Sequence, residues 1–121
     1  MSSVVIKSVD NERVARSMDV YAARLLSSRP EVEEIVVFGS FAKGTYSPGS
    51  DIDVFILLSH SNKPVRERIP DFLPGAFPIG MDLFPYTREE VATLAPSPIL
   101  DDVRASAWRY RRDANQRPIT K

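Results

Sequence analysis

The chain has 121 residues, with 16 basic and 16 acidic side chains, 43% apolar residues and no cysteine. This length suits one domain, and this composition excludes a disordered, collagen-like or coiled-coil chain. Zero net charge argues against a dedicated DNA-binding protein, and the absence of cysteine excludes disulfides and zinc–thiolate sites. The longest apolar run is residues 54–58, whereas a membrane-spanning helix needs about 20 apolar residues. With no signal peptide recognisable, we expect a cytoplasmic protein without a membrane partner.

The first predicted element is a helix from about Asp10 to Ser28. Its apolar side chains recur at helical spacing and so share one face: Val14, Met18, Tyr21 and Leu25. Asp10 is suited to the N-cap position. Pro30 disfavours helical geometry at the residue before it, and therefore ends the helix.

Three strands are predicted next. Residues 35–38 and 52–58 are rich in β-branched, aromatic and aliphatic side chains, which is typical of buried strands. Residues 41–51 form the loop between them, with room for one helical turn at its start. A short helix is expected to begin with Pro64 at its first position, and residues 78–85, bracketed by prolines, form the third strand.

The remaining residues predict two short helices and a terminal strand. A capping box at residues 87–90 predicts a helix to about Ala95, and Ser97 begins another. The alternation of Trp108 and Tyr110 predicts a short strand, with both side chains packed in the core. Strands that alternate with helices indicate an α/β fold in which helices pack on a sheet.

Three aspartates stand where strands rarely hold them. Asp51 and Asp53 begin the most apolar strand, and Asp82 lies within the third. Because side chains at i and i+2 share one face of a strand, Asp51 and Asp53 point the same way and repel each other unless a cation lies between them. Magnesium, which proteins hold with carboxylates and substrate phosphates, meets this need. The alternative is that Asp51 caps a turn and Asp53 pairs with a basic residue.

A glycine–serine pair, Gly39–Ser40, directly follows the first strand. Glycine allows a ligand to approach the backbone closely, and the amide and hydroxyl groups after it can bind a phosphate. Most such pairs are simple turns. The interest of this pair comes from Asp51 and Asp53, which follow after ten intervening residues.

These motifs together resemble the DNA polymerase beta-like nucleotidyltransferase superfamily. The strings FGSFAKGT at residues 38–45 and GSDIDV at residues 49–54 resemble the minimal nucleotidyltransferase (MNT) family within it. The resemblance covers about residues 10–112 and leaves a basic tail at 113–121. It implies a single nucleotidyltransferase domain with a small mixed sheet flanked by helices.

The resemblance also implies roles for individual residues. Gly39 and Ser40 match residues that hold the nucleotide phosphates, and Lys43 occupies a position where the family usually has arginine. Lysine keeps the positive charge but lacks the bidentate geometry of arginine. Asp51, Asp53 and Asp82 match three catalytic carboxylates that bind two Mg²⁺ ions, and the carboxylate at position 82 also helps to deprotonate the acceptor hydroxyl.

The family resemblance leads to a functional hypothesis. It implies Mg²⁺-dependent transfer of a nucleoside monophosphate, AMP from ATP, to a hydroxyl acceptor. Larger relatives carry a second domain for the acceptor, for which this chain has no room, so the acceptor is expected on a partner or at a homo-oligomer interface. MNT proteins resemble the antitoxin half of pairs whose partner is a small helical HEPN protein. The alternatives are an antitoxin that acts by occlusion alone and a small-molecule enzyme of the aminoglycoside-modifying type.

Other residues have less specific interpretations. His60 is expected to be an exposed residue at a strand end. The arginines at 109, 111 and 112 form a solvated face or contact phosphates or an acidic partner. The apolar residues of the proline-rich region either cover the sheet edge or form a docking patch: Phe72, Leu73, Phe77, Phe84 and Tyr86.

Overall fold

A computed structural model describes residues 11–47, 49–94 and 96–116 of the chain. The first helix is α1 (Asn11–Ser28), and the next elements are β1 (Val32–Phe38), α2 (Ser40–Lys43) and β2 (Ile52–Leu58). They are followed by α3 (Val65–Arg68), a 3₁₀ turn (Ile69–Phe72), β3 (Met81–Thr87), α4 (Arg88–Thr93), α5 (Pro98–Ala105), β4 (Arg109–Arg111) and β5 (Ala114–Gln116). None of the helices in these ranges is long and apolar enough to cross a membrane.

The strands form one mixed sheet of five strands in the order β3-β2-β1-β4-β5. β2 runs parallel to β3 and antiparallel to β1, which in turn pairs antiparallel with β4. The parallel pair requires a crossover, and residues between β2 and β3 supply it through α3 and the 3₁₀ turn. The predicted α/β architecture with a small mixed sheet is therefore confirmed.

Helix α1 covers one face of the sheet and builds the larger core. Its predicted apolar stripe is buried against the side chains of β1 and β2 that point to this face, which include Ile35, Val37, Val54 and Ile56. Trp108 and Tyr110 join this core, as the sequence predicts. The two side chains are hydrogen-bonded to each other, since the indole Nε1 of Trp108 donates to the hydroxyl oxygen of Tyr110 at 2.9 Å. Burial of these side chains supplies most of the stabilisation of the fold.

The opposite face of the sheet carries a smaller core. Val36, Phe38 and Phe55 are buried there against Leu100 and Val103 of α5. Phe84 and Tyr86 are half-buried at its margin, where Phe84 packs edge-on to Phe38 and Tyr86 stacks with Phe55. Helix α5 is thus fixed on this face by two apolar anchors and lies beside the end of β1.

The free edge of β3 is closed by an ion pair in which the arginine is buried and the glutamate is half-buried. Arg68 and Glu90 form two hydrogen bonds of 2.8 Å each, and Arg68 Nη1 also donates to the carbonyl oxygen of Pro85 at 2.9 Å. Glu90 accepts from the amide of Thr87 and completes the predicted capping box of α4. Pro85 is tolerated within β3 because this strand lies at the sheet edge.

Several predicted boundaries were wrong by a few residues. The third strand begins at Met81 rather than Pro78, because its pairing with β2 starts where Ile52 opposes Met81. Pro64 is the N-cap of α3 rather than its first residue. Residues 114–116 of the predicted tail form strand β5 on the outer edge of β4. The predicted N-cap Asp10 and the predicted helix end Ala95 lie outside the described residues.

Candidate functional site

Two of the predicted catalytic aspartates lie side by side on neighbouring strands. Asp53 of β2 is the direct register partner of Asp82 of β3, and paired strands lie about 4.8 Å apart. Both residues are flanked by side chains that face α1, namely Ile52 and Val54 around Asp53. By strand alternation the two carboxylates therefore point to the opposite face, on which α5 packs.

Asp51 joins this pair from the residue just before β2. It lies two positions before Asp53 and therefore on the same face. Asp51 and Asp82 are exposed and Asp53 is half-buried. Asp82 lies within the third strand, as predicted, and is exposed because it is only the second residue of β3, at the open end of the sheet.

Two glycines make room for these carboxylates. A Cβ atom on Gly39 would lie 2.3 Å from Asp53 Oδ2, and one on Gly80 would lie 2.3 Å from Asp51 Oδ1. Both are far inside van der Waals contact. Gly39 also has φ 76° and ψ −152°, a combination that is essentially restricted to glycine. The Gly39–Ser40 turn thus packs directly against the second aspartate, and Ser40 begins the short helix α2.

The carboxylates influence one another electrostatically. Desolvation raises the pKa of Asp53, and the neighbouring charges of Asp82 and Asp51 raise it further. No basic side chain contributes to this shift, so the alternative in which Asp53 pairs with a basic residue has no support. A cation between the three groups would remove the repulsion.

The carboxylate oxygens of Asp51, Asp53 and Asp82 are chemically suited to bind a hard divalent cation. Mg²⁺ prefers carboxylate oxygens and keeps ligand positions for water and phosphate, and this end of the sheet offers three carboxylates. Within the ranges that the structure describes, however, no group of three or more Asp, Glu, His or Cys side chains stands in a ready ligand arrangement. The roles of Asp51, Asp53 and Asp82 as metal ligands remain a prediction.

Lys43 ends α2 and reaches towards α5. Its Nζ lies 3.4 Å from both carboxylate oxygens of Asp102, and both side chains are largely open to solvent. Gly39, Ser40 and Lys43 therefore lie on one short segment beside the aspartates, with the predicted phosphate-binding role of all three untested. The contact of Asp102 was not anticipated, because an aspartate on a short helix reveals nothing about its partner.

Of the three C-terminal arginines predicted to form a solvated face, Arg111 and Arg112 are exposed and Arg109 is half-buried. Arg109 and Arg111 both bind Glu34 of β1, through their Nε atoms at 2.8 and 3.1 Å. Arg112 donates to the carbonyl oxygens of Leu26 and Val32. These arginines tie the last strands to the body of the domain, which gives them a structural role.

Most residues of the predicted docking patch pack in or against the two cores of the domain. Phe72 is buried and Phe77 packs against the larger core, while Leu73 stays exposed with 58% of its surface accessible. Phe84 and Tyr86 flank the smaller core. His60 is exposed just after β2, as predicted, and its Nδ1 hydrogen-bonds with Ser59.

Comparison with known sequences identifies the family. A sequence profile described as nucleotidyltransferase domain matches residues 21–103, more than half of the chain. The chain belongs to the nucleotidyltransferase domain family. The matched segment of the nucleotidyltransferase domain includes the Gly39–Ser40 turn and all three aspartates. No curated protein sequence matches the chain significantly.

Solved structures share the fold of this nucleotidyltransferase domain. A protein from Sulfolobus solfataricus, proposed to be a nucleotidyltransferase, is 22% identical with a TM-score of 0.63, over 98% of this chain and 97% of its own. A chain of a toxin–antitoxin structure with AMP-PNP is 19% identical with a TM-score of 0.50, over 85% of this chain and 72% of its own. The predicted fold is thereby confirmed.

Proposed function

We propose that this nucleotidyltransferase domain transfers AMP from ATP to a hydroxyl group of a separate acceptor in a Mg²⁺-dependent reaction. The observation that carries the proposal is the gathering of Asp51, Asp53 and Asp82 at one end of the sheet beside the Gly39–Ser40 turn. The family supports the reaction class. AMP-PNP, an analogue of ATP, in a related toxin–antitoxin structure supports ATP as the donor.

The substrate would be held by groups on both sides of the aspartates. The backbone and hydroxyl of Ser40 would contact the β- and γ-phosphates, and Gly39 would allow their close approach. Lys43 would add a mobile positive charge. Asp51, Asp53 and Asp82 would hold Mg²⁺, which when bound neutralises phosphate charge and polarises the phosphoryl oxygens.

In the proposed transfer, a carboxylate of this chain accepts the proton that the acceptor hydroxyl loses. Asp82 takes the proton of the acceptor hydroxyl while the oxygen atom of that hydroxyl attacks the α-phosphorus atom. A bond forms between that oxygen and the α-phosphorus, and the bond from the α-phosphorus to the bridging oxygen breaks. Pyrophosphate leaves with the bonding electron pair, and AMP remains on the acceptor.

The acceptor belongs to another protein in this proposal. The part of the chain that the structure describes is occupied by one sheet and its helices, and orientation of the acceptor is worth up to about 7–11 kcal/mol in well-ordered systems. A small helical protein of the HEPN type that presents a tyrosine hydroxyl fits this requirement. The chain would then be the antitoxin half of an MNT/HEPN pair.

Calorimetry tests the metal and nucleotide part of the proposal. ATP is titrated into wild-type protein with Mg²⁺ and with EDTA, and into the Asp51→Asn/Asp53→Asn variant with Mg²⁺. We expect binding only in wild-type protein with Mg²⁺. Asp71→Asn, which removes a carboxylate outside this group that pairs with Lys63 at 2.8 Å, is the control and should bind as wild type. Equal affinity in EDTA would contradict the proposed metal site.

Mass spectrometry tests the transfer. The chain is incubated with ATP, Mg²⁺ and the helical protein encoded beside it, and the acceptor should gain the mass of one AMP or more. Asp82→Asn should abolish the gain, whereas Asp71→Asn should preserve it. If the partner is bound and silenced equally by the Asp51→Asn/Asp53→Asn variant, with no added mass in the wild-type reaction, occlusion replaces transfer as the function. Transfer to an aminoglycoside but not to the protein would establish the small-molecule alternative.

A further inference from the structure

The ion pair between Lys43 and Asp102 connects two elements that lie beside the aspartates. The residues are 59 positions apart in the chain, and Lys43 Nζ lies 3.4 Å from each oxygen of the Asp102 carboxylate. Lys43 lies at the end of α2, and Asp102 lies on α5, which packs on the face to which Asp53 and Asp82 point. The pair therefore links the segment predicted to bind phosphate to the helix that packs on the face of the aspartates.

The backbone on both sides of this pair is held by the core. Phe41, two residues before Lys43, is 7% exposed, and Val103, the residue after Asp102, is 5% exposed. Val103 and Leu100 pack against Phe38, which directly precedes the Gly39–Ser40 turn. The distance between α2 and α5 is thus fixed by buried contacts, whereas the side chains of the pair are 58% and 41% exposed.

We propose that Asp102 is a positioning residue that holds the Lys43 ammonium group in the nucleotide-free protein and competes with the triphosphate for it. This inference rests on the proposed function, in which Lys43 contacts phosphate. It adds a residue that sets how tightly the nucleotide binds. The triphosphate displaces the carboxylate from Lys43, and Asp102 thereby lowers the affinity of the site.

The physical chemistry favours exchange of partners over a permanent pair. Lysine carries a compact charge on a flexible four-carbon stem, so its ammonium group can move from a carboxylate to a phosphate without backbone movement. An exposed ion pair at this distance is weak and easily exchanged. After exchange the Asp102 carboxylate faces a polyanion without its counter-ion, which is unfavourable. Removal of that charge should therefore favour the nucleotide-bound state.

Asp101 provides a matched control on the same helix. It is the adjacent residue, carries the same charge and pairs at 3.6 Å with Arg104, while its side chain is 73% exposed. Asp101→Asn and Asp102→Asn change the net charge equally. A difference between them reports the contact with Lys43 rather than the overall field.

A double-mutant cycle tests the proposal. ATP with Mg²⁺ is titrated calorimetrically into wild type, Lys43→Ala, Asp102→Asn, the double variant and Asp101→Asn, and inorganic tripolyphosphate is titrated in parallel. We expect Asp102→Asn to tighten binding about two- to fivefold, the range that an exposed ion pair supports. The effect should vanish in the Lys43→Ala background and be absent in Asp101→Asn. In the transfer reaction, KM for ATP should fall while kcat stays unchanged.

The contrary outcomes are distinct. Weaker binding by Asp102→Asn, or equal tightening with and without Lys43, overturns the proposal while wild-type binding of ATP still supports the proposed function. If tripolyphosphate binds but ATP does not, the cycle is read with tripolyphosphate and only the assignment of ATP as the donor fails. A chain that binds neither anion overturns both.

Discussion

Asp53 fills the space that a side chain on Gly39 would need, since a Cβ atom there would lie 2.3 Å from Asp53 Oδ2. The turn and the aspartate are therefore fitted to each other, although they come from different strands. This contact accounts for the combination of glycine–serine and aspartate motifs in physical terms. A side chain at position 39 would displace the carboxylate of Asp53.

Gly39→Ala tests this fit. We expect a loss of about 1–3 kcal/mol in stability from the backbone conformation alone, and a loss of transfer activity of about 100-fold because Asp53 must move. Gly44→Ala is the control, since Gly44 has φ 77° but nothing within 4 Å of its missing Cβ. It should lose about 1–2 kcal/mol of stability and keep its activity. Urea denaturation and the transfer assay measure the two effects, and equal losses of activity in both variants would refute the fit.

Asp53→Asn should change the pH dependence of stability. The pKa of Asp53 is raised above 3.8, so the folded state holds the proton more tightly and the ionised group destabilises the fold. The contribution of this group falls as pH rises from the ordinary value through the raised one. In metal-free buffer we therefore expect Asp53→Asn to be more stable than wild type at pH 7 and no more stable at about pH 3.

Asp71→Asn is the control of opposite sign for this experiment. A hydrogen bond from Lys63 lowers the pKa of Asp71, so its charge favours the folded state. Thermal melting at several pH values in EDTA compares the two variants. An Asp53→Asn protein that is less stable than wild type at pH 7 would contradict destabilisation of the Asp53 charge by burial and by the neighbouring aspartates.

Glu90→Gln should destabilise the free edge of the sheet. Hydrogen bonds from Arg68 are the main cause that lowers the pKa of Glu90 to about 2. The variant leaves the guanidinium group, whose side chain is 5% exposed, without a counter-ion. Because Glu90 itself is 37% exposed, we expect a loss of about 2 kcal/mol, below the range for a fully buried pair.

The pH dependence gives an independent check of this ion pair. Glu90 stabilises the fold above its ordinary pKa, and this contribution is lost as pH falls through the lowered value. Wild type should lose stability between about pH 4.5 and pH 2, and Glu90→Gln should lose less. Glu89→Gln, an exposed change on the same helix, should stay within about 0.5 kcal/mol of wild type at neutral pH. A loss as small in Glu90→Gln would contradict the assigned role.

Tyr21→Phe should weaken the contact between α1 and the 3₁₀ turn. Tyr21 donates a hydrogen bond of 2.6 Å to the carbonyl oxygen of Phe72, and its removal should cost about 1–3 kcal/mol because that oxygen loses its partner in a buried place. Burial raises the pKa of Tyr21, so wild type should lose stability above about pH 10 as the unfolded chain ionises. Loss of stability by Tyr21→Phe that is the same at pH 8 and pH 11 would contradict this.

The sequence predicted the fold and the shared face of the aspartates more fully than it predicted the contacts around them. The α1 stripe and strand β2 follow from hydrophobic periodicity, and the motif spacing identified the family. The roles of the site residues remain predictions. Arg109 was assigned to a solvated face because charge alone does not reveal that Glu34 lies across the sheet from it. Likewise, the role of Gly80 depends on a contact with Asp51 that no local pattern encodes.

The parallel register of β2 and β3 has a consequence for how the chain tolerates changes in length. Asp53 opposes Asp82 because the apolar residue after each one, Val54 and Leu83, is buried against α1. Insertions at exposed positions between β2 and Gly80, away from the buried Arg68 and Phe72, leave this register intact, so these positions suit tags or grafted peptides. Deletion of one residue of β3 after Asp82, by contrast, would turn Asp82 to the wrong face of the sheet. The arrangement of the aspartates therefore does not depend on the length of the connection between β2 and β3, although the connection directly adjoins both strands in the chain.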